Sequence, residues 1–194
     1  YPTFGGSGIV ASELGTELSK RHKVHFISYE KPVRLNIHNS NITYHKVEVP
    51  KYPLFEYPPY ELALTAKIVE IVEEFNLDIL HVHYAIPHAY AAVSAQQILL
   101  QKKYSIPIVT TLHGTDITLV GKTPFLLSSV NYALNKSSLI TCVSEDLKSQ
   151  TLKYFSINSK IQVIPNFINF KSNGIPNKPI NNKKIISHIS NFRP

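Results

Sequence analysis

The chain has 194 residues, of which 43% are hydrophobic, and 20 Lys and Arg against 13 Asp and Glu give it a formal charge of +7. This is enough for one well-buried domain with room for part of a second. The positive balance allows an anionic partner, but no segment interleaves basic and aromatic residues, so we expect no nucleic acid. No signal peptide or apolar run of membrane-spanning length is present, so we expect a cytoplasmic protein without membrane insertion.

The chain opens with a glycine cluster, YPTFGGSG, that runs into an amphipathic pattern. Small residues at Gly5, Gly6 and Ser7 let backbone N–H groups approach a ligand closely. The N-terminus of a following helix attracts an anion, because its first N–H groups lack partners within the helix. We therefore expect a phosphate or a carboxylate here. The apolar residues that predict this helix recur on one side of it: Ile9, Val10, Leu14 and Leu18.

The same cluster also fits a second interpretation. The residues from Gly6 to Ala11 match the dinucleotide fingerprint G-x-G-x-x-G/A, and Glu30 lies near the expected position of a ribose-binding acid. A dinucleotide-binding Rossmann oxidoreductase domain that binds NAD is therefore an alternative. The fingerprint glycine should directly follow a strand, which the proline-containing segment YPTF fits poorly. A glycine turn that only reverses the chain is a further alternative.

Short β-branched runs alternate with helical patterns along the rest of the chain. Strands are predicted at KVHFIS, ITYHKVEV, DILHVHY, IPIVTTLHG, SLITCVS and IQVIPNF. Helices are predicted over Tyr60–Phe75, from about Pro87 to Leu100, near Phe125–Leu134 and at EDLKSQTLKYF. This alternation predicts an α/β fold, a Rossmann-like parallel sheet with helices on both faces and its ligand at the carboxyl ends of the strands.

A change of composition predicts the domain boundaries. Residues 1–175 are predicted to form an N-terminal Rossmann-like domain whose first strand would precede Tyr1. Residues 176–184 are rich in Asn, Pro and Lys and predict a linker, and residues 185–194 begin a fresh apolar strand. One strand cannot form a domain, so we expect a second domain that continues beyond Pro194.

Polar residues follow the predicted strands, where an α/β sheet binds its ligand. In TTLHGTD, the strand delivers Thr111 and His113 to one face, Gly114 permits a tight exit, and Asp116 is placed to orient or cap. His113 is predicted to donate to a sugar hydroxyl or phosphate or to act as a base, and the alternative is a merely hydrogen-bonded histidine. Ser144 is predicted to cap the helix that follows it.

The segment HVHYAIPH raises the question of a metal site. His81 and His83 share a strand face and His88 follows, but this spacing without Cys or a clear carboxylate makes a poor site. We therefore predict hydrogen-bonded histidines and no metal. Tyr84, at the strand end, is predicted to offer its hydroxyl to a ligand, or else to be a rim aromatic. Cys142, the single cysteine, lies in LITCV and is predicted to be a buried, inert thiol.

Several motifs together resemble one family. The segments YPTFGGSGIVASELG, VHFISYEKPVRL, YPLFEYPPYELALTAK, LDILHVHYAIPHA, VTTLHGTDIT and SHISNFRP are similar, in this order, to the retaining GT-B glycosyltransferases that join N-acetylglucosamine to L-malate in bacillithiol biosynthesis. The resemblance covers essentially the whole chain, and HVHYAIPHA with TTLHGTDIT is specific to that subgroup. It implies the N-terminal, acceptor-binding domain of a two-domain GT-B fold and the first strand of the C-terminal, donor-binding domain.

The resemblance also implies roles for single residues. His113 would be catalytic, in contact with the transferred sugar. Gly5, Gly6 and Arg193 would hold the diphosphate of the donor. The residues that would hold malate form a further set: Ser7, Tyr84, Thr111, Asn191 and Arg34.

The reaction that the resemblance implies is transfer of N-acetylglucosamine from UDP-GlcNAc to the hydroxyl of L-malate, the first step of bacillithiol biosynthesis. The malate hydroxyl would attack from the side of the departing UDP, whose phosphate oxygen would take the proton, so no metal and no other cofactor would be needed. The partners would be these two small molecules, and a homo-oligomer is allowed. Without a complete donor domain this chain is expected to be inactive. A retaining GT-B hexosyltransferase with another small acceptor is an alternative.

Overall fold

The computed structural model describes residues 6–50, 53–54 and 56–167. Within these ranges the strands are β1 (Val24–Ser28), β2 (Ile42–Lys46), β3 (Leu80–His83), β4 (Ile108–Leu112), β5 (Leu139–Cys142) and β6 (Ile161–Val163). The α-helices are α1 (Gly6–Leu18), α2 (Tyr60–Phe75), α3 (Tyr90–Gln101), α4 (Leu127–Lys136) and α5 (Glu145–Tyr154). Shorter helical turns are found at Ala85–Ala89, Asp116–Val120 and Pro124–Leu126. None of the helices in the described ranges has both the length and the apolar character that a membrane crossing requires.

The strands pair in parallel throughout the described part of the chain. β1 pairs with β2, and β3, β4, β5 and β6 form a second sheet in that order. Helical crossovers join the parallel strands of the second sheet, whereas β1 and β2 are joined by residues 29–41, which contain no helix. The predicted parallel α/β organisation is therefore confirmed, although the described strands form two sheets rather than one.

A cavity of about 1760 Å³ is lined by residues of β1 and β3, each an edge strand of its sheet. It is lined by residues of both strands and by one side of α1, including Ser7, Leu14 and Leu18. The strand expected before Tyr1, the linker at residues 176–184 and the strand at residues 185–194 all lie outside the described residues.

The helix predicted from about Pro87 begins directly after Ile86, whose backbone is extended with φ −134° and ψ 142°. The turn Ala85–Ala89 then continues into α3, because Ala89 and Tyr90 both have helical backbone angles. Helix α2 likewise has the predicted bounds. It is capped by Asn76, which has φ +51° and whose backbone N–H donates to the carbonyl of Val72. This left-handed cap satisfies a carbonyl of the last turn.

Two apolar clusters hold the larger sheet against its helices. One joins α2 and α3 to β3 and β4 around Val72 and Leu99, and the other joins α4 and α5 to β4, β5 and β6 around Leu134 and Ile140. Cys142 belongs to the second cluster and is free and buried. The predicted burial is therefore confirmed, and burial raises the pKa of the Cys142 thiol, which disfavours the reactive thiolate.

The N-terminus of α5 confirms a prediction of the sequence. The Ser144 hydroxyl oxygen accepts a hydrogen bond from the backbone N–H of Leu147 at 3.1 Å. Ser144 itself is extended, as an N-cap residue should be. Its role is therefore that of a cap.

Helix α1 buries small residues instead of the apolar side seen in the sequence. The buried positions are Ser7, Ser12 and Gly15, whereas Ile9 and Leu18 are 40% and 41% exposed. Gly15 allows the helix to approach β1 so closely that an added Cβ would lie 2.3 Å from the ring of Phe26. The apolar pattern thus predicted the helix itself but not the side that is buried.

Gly121 packs against the turn that carries Asp116, and we expect Gly121→Ala to lower the free energy of unfolding by about 1–3 kcal/mol. An added Cβ would lie 2.3 Å from the backbone carbonyl oxygen of Asp116 and 3.1 Å from the ring of Phe155. The carbonyl of Asp116 belongs to the backbone, so it cannot move away from the added Cβ as easily as the end of a flexible side chain could. Urea denaturation of the variant would measure the loss. Gly6→Ala is the matched control, because no described atom lies within 4 Å of its added Cβ. Equal stabilities of the two variants would contradict this reading.

Candidate active site

The N-terminus of α1 and the loop after β3 meet at the carboxyl ends of the strands. The phenol of Tyr84 donates a hydrogen bond of 2.7 Å to the hydroxyl oxygen of Ser7, the second residue of α1. Gly6, the first residue of α1, is exposed beside it. The structure thus brings together the N-terminus of α1 and two of the residues expected to hold an acceptor.

Tyr84 adopts a backbone conformation that normally favours glycine. Its φ is +83° and its ψ 137°. Such a conformation costs about 1–3 kcal/mol and persists only where the surrounding structure holds it. Three bonds do so: the Tyr84 N–H donates to the carbonyl of Thr111, its carbonyl accepts from the N–H of Ala89, and its phenol reaches Ser7. The Tyr84 side chain leaves this constrained backbone in the direction of α1, where its phenol contacts Ser7.

A row of polar side chains crosses β3, β4 and β5. Parallel register places His83 opposite Thr111 and Thr111 opposite Thr141. The Thr111 hydroxyl lies 2.8 Å from Nε2 of His81 and 2.7 Å from the hydroxyl of Thr141. Thr111, predicted to hold malate, is therefore already part of a hydrogen-bonded row within the sheet.

His113 lies at the end of this row beside Tyr84. Its Nε2 is 2.8 Å from Nδ1 of His83, and its ring centroid is 5.3 Å from that of Tyr84. The carbonyl of His83 in turn accepts from Nδ1 of His88 at 2.7 Å. His113 is thus held by a second histidine from β3, next to the Tyr84–Ser7 pair.

Asp116 and Gly114 shape the exit from β4 as the sequence predicts. Gly114 has φ +119°, a conformation that favours glycine, and so permits the tight exit. The Asp116 carboxylate accepts the backbone N–H groups of His113 and Gly114 at 3.2 and 2.9 Å. Its other oxygen accepts the N–H of Ala85 at 3.0 Å. These contacts confirm that Asp116 caps the exit from β4, one of its two predicted roles.

The histidines of the site are neutral at pH 7. Burial lowers the pKa of His113 to about 4. Burial also lowers the pKa of His81 and His88, and it lowers that of His83 well below the ordinary value. A neutral imidazole can donate one hydrogen bond and accept another. His113 is therefore suited to hydrogen bonding with a sugar rather than to carrying a positive charge.

These histidines predict that stability falls as the pH is lowered from about 6.5 toward 4. The unfolded chain takes up protons at the ordinary histidine pKa of about 6.5, whereas folded His113 does so only near 4. The stabilisation is complete above pH 6.5 and is lost through this window. Urea denaturation between pH 7 and 4 would measure it, with His113→Gln as the comparison. The variant should show a shallower slope, by up to about 1.4 kcal/mol per pH unit; identical slopes would contradict the assignment.

Arg34 contacts α1 at Glu13. Its guanidinium lies 3.4 Å from the carboxylate of Glu13, farther along α1, and 59% of its side chain is exposed. A role of Arg34 toward malate stays a prediction. Gly5, Asn191 and Arg193, also predicted for the site, lie outside the described residues. In the part of the chain that the structure covers, no cluster of three or more His, Cys, Asp or Glu suits a metal ion.

Two functional contacts were missed in the sequence. Thr141 lies in the apolar run LITCV, and only its parallel register opposite Thr111 shows that it extends the polar row. The contact between His83 and His113 likewise gave no local signal, because each of the two contacts joins residues that are 30 positions apart in the chain.

Comparison with known proteins identifies the family. The model of Glycosyltransferase Family 4 matches residues 4–172. The chain belongs to this family. It is 45% identical over 202 aligned residues to N-acetyl-alpha-D-glucosaminyl L-malate synthase of Bacillus anthracis, covering 100% of this chain and 52% of the relative. An uncharacterized glycosyltransferase of Methanocaldococcus jannaschii is 30% identical over 154 residues, covering 77% of this chain and 40% of that protein. The chain spans about half the length of the curated relatives it matches.

Solved structures agree with the fold. Sucrose-phosphate synthase from Thermosynechococcus elongatus superposes with a TM-score of 0.58 at 14% identity, covering 83% of this chain and 42% of that one. A second structure of that synthase gives 0.55 at 16% identity, covering 84% of this chain and 87% of its own. Together with the family, this confirms the predicted fold class, a Rossmann-like α/β domain of the GT-B type. The oxidoreductase alternative loses its support, because the family is one of glycosyltransferases.

Proposed function

We propose that the full-length protein transfers N-acetylglucosamine from UDP-GlcNAc to the hydroxyl of L-malate, with retention of configuration. The relative from Bacillus anthracis, whose name specifies that product, supports this through 45% identity along the entire chain. Residues 1–175 would be the acceptor-binding domain, residues 176–184 the linker and residues 185–194 the start of the donor-binding domain. The protein would act in the cytoplasm, where both metabolites are available.

The observation that carries the proposal is the hydrogen bond between Tyr84 and Ser7 at the N-terminus of α1. The Ser7 oxygen accepts this bond, so its own proton is available to a carboxylate of malate. The unpaired N–H groups of the first helical turn favour a second anion. A dicarboxylate and a diphosphate would then bind at the same helix N-terminus, where Gly6 has no side chain to exclude them.

His113 would face the transferred sugar. Nε2 of its neutral imidazole is hydrogen-bonded to His83, so Nδ1 would be the atom that bonds a sugar hydroxyl. Its ring lies against Tyr84, on the acceptor side. This contact is what would align the anomeric carbon with the malate hydroxyl, and such alignment is a large part of catalysis by positioning.

Proton transfer would follow from the same geometry. The Asp116 carboxylate is occupied by three backbone N–H groups, so it is not available as a nucleophile or base. The malate hydroxyl would attack from the side of the departing UDP, whose phosphate oxygen would take the proton. Protein catalysis would consist of positioning and of stabilising charge on the leaving diphosphate, in which Gly5 and Arg193 would take part.

The test is a turnover assay on the full-length protein with UDP-GlcNAc and L-malate, following UDP release without added metal. Release that requires malate is the expected result, and the anomeric configuration of the product then tests retention. Release only with another small acceptor would reject malate and favour the alternative hexosyltransferase. An inverted product would reject the retaining mechanism.

A further inference from the structure

The carboxylate of Asp116 joins the two loops of the candidate site. One oxygen accepts the N–H of Ala85, directly after Tyr84, at 3.0 Å. The other accepts the N–H groups of His113 and Gly114. Tyr84 is expected to face the acceptor and His113 the sugar, so a single side chain holds the groups for both substrates.

The environment of Asp116 makes this link rigid. The residue is 3% exposed, and each of its oxygens is hydrogen-bonded. Gly121 packs on its backbone, leaving no room for a Cβ at that position. A buried carboxylate with three N–H donors is costly to rearrange, because any shift leaves a polar group unpaired.

The link also explains how Tyr84 keeps its left-handed backbone. The N–H on its amino side donates to Thr111, and the N–H on its carboxyl side, that of Ala85, donates to Asp116. Both peptide planes that define the conformation of Tyr84 are therefore fixed from β4 and from the turn that follows it. Loss of the second bond would release the plane that directs the phenol to Ser7.

We propose that Asp116 is a positioning residue, which sets the acceptor-side Tyr84 relative to the sugar-side His113 without touching either substrate. This inference rests on the proposed function. Asp116 would align the two substrates although it takes no part in the chemical step.

Asp116→Asn separates positioning from general stability. An amide oxygen accepts where a carboxylate oxygen did, and it should stay with the two donors, His113 and Gly114. The amide nitrogen then faces the N–H of Ala85, two donors that repel each other. The variant should release the Tyr84 side while the His113 side is kept. We therefore expect the KM for L-malate to rise about tenfold or more, with the KM for UDP-GlcNAc within twofold of the wild-type value.

The control is Asn135→Ala, which removes a comparable link between elements away from the site. Asn135 donates to the carbonyl of Ser156 and accepts the N–H of Asn158. This variant should lose stability and keep both KM values. If Asp116→Asn behaves in the same way, or changes both KM values equally, Asp116 is only structural and the inference is overturned. Where Asp116→Asn does not fold, Ala85→Pro carries the same test, since proline removes the one N–H that Asp116 accepts on the Tyr84 side and leaves its bonds to His113 and Gly114.

A readout without turnover separates this inference from the proposed function. In the full-length protein, the imidazole ¹⁵N resonances of His113 and the aromatic ring resonances of Tyr84 report how the two side chains are placed relative to each other. We expect Asp116→Asn to shift those of Tyr84 more than those of His113, and Asn135→Ala to shift neither. A wild-type protein that releases no UDP with malate would reject the proposed acceptor, while these spectra would still decide the role of Asp116; unchanged Tyr84 resonances would overturn it.

Discussion

Replacing His113 by alanine in the full-length protein is expected to lower kcat for sugar transfer about 10²- to 10³-fold, the usual effect of removing one donor that acts in the transition state. We expect His113 to contact the transferred sugar; its ring lies beside those of His83 and Tyr84. Alanine removes the donor and leaves His83 without its partner. The KM values should change less than kcat, because the contact would strengthen as the bond to UDP breaks.

The measurement is steady-state UDP release at pH 7, where folded His113 is neutral. His38→Ala is the matched control, because His38 is an exposed histidine on a loop outside the site. It should keep the wild-type kcat. His113→Gln, which keeps a donor and an acceptor, should recover part of the lost rate. Full activity of His113→Ala would show that His113 is not catalytic and is only a hydrogen-bonded histidine at the end of the sheet.

Replacing Gly6 by alanine should raise the KM for UDP-GlcNAc about 10- to 100-fold without loss of stability. The added methyl group meets no described atom within 4 Å, so the folded protein has room for it. Alanine in a helix is favoured over glycine by about 0.5–1 kcal/mol, so the free energy of unfolding should hold or rise. A diphosphate at the N–H groups of the first turn would meet the methyl group, and a hydrogen bond to a charged group contributes about 1.5–3 kcal/mol.

Thermal unfolding and substrate titration of the same preparation would test this second prediction. Glu17→Ala is the control within α1, because Glu17 lies in the last turn, about 16 Å along the axis from Gly6. It should leave the KM for UDP-GlcNAc unchanged. If the Gly6→Ala variant binds UDP-GlcNAc normally, the diphosphate does not bind at the N-terminus of α1 and the expected role of Gly6 is rejected.

Local patterns along the chain were sufficient to predict most elements and the fold class. The alternation of β-branched runs with helical periods predicted the parallel α/β organisation, and the bounds of α2 were predicted residue for residue. Ser144 and Gly114 were recognised by the local chemistry of a cap and of a tight exit. These signals succeed because hydrogen bonds within a turn or helix depend on neighbours in the chain.

Other features depended on residues that are far apart in the chain. The side of α1 that is buried was set by the packing of Gly15 against Phe26. A close approach of this kind leaves no periodic pattern in a single segment. The apolar residues of α1 predicted a helix but not the surface it would pack against.

The candidate site shows the same division. The sequence by itself determined which residue types stand at the strand ends, including Tyr84, His113 and Asp116, because period-two alternation and the parallel sheet direct them there. Only the tertiary structure decided that Tyr84 takes a left-handed backbone and reaches Ser7, and that Asp116 holds both loops. The physical reason is that these bonds join separate elements, and their geometry exists only once the strands are in register and the polar groups between them are buried.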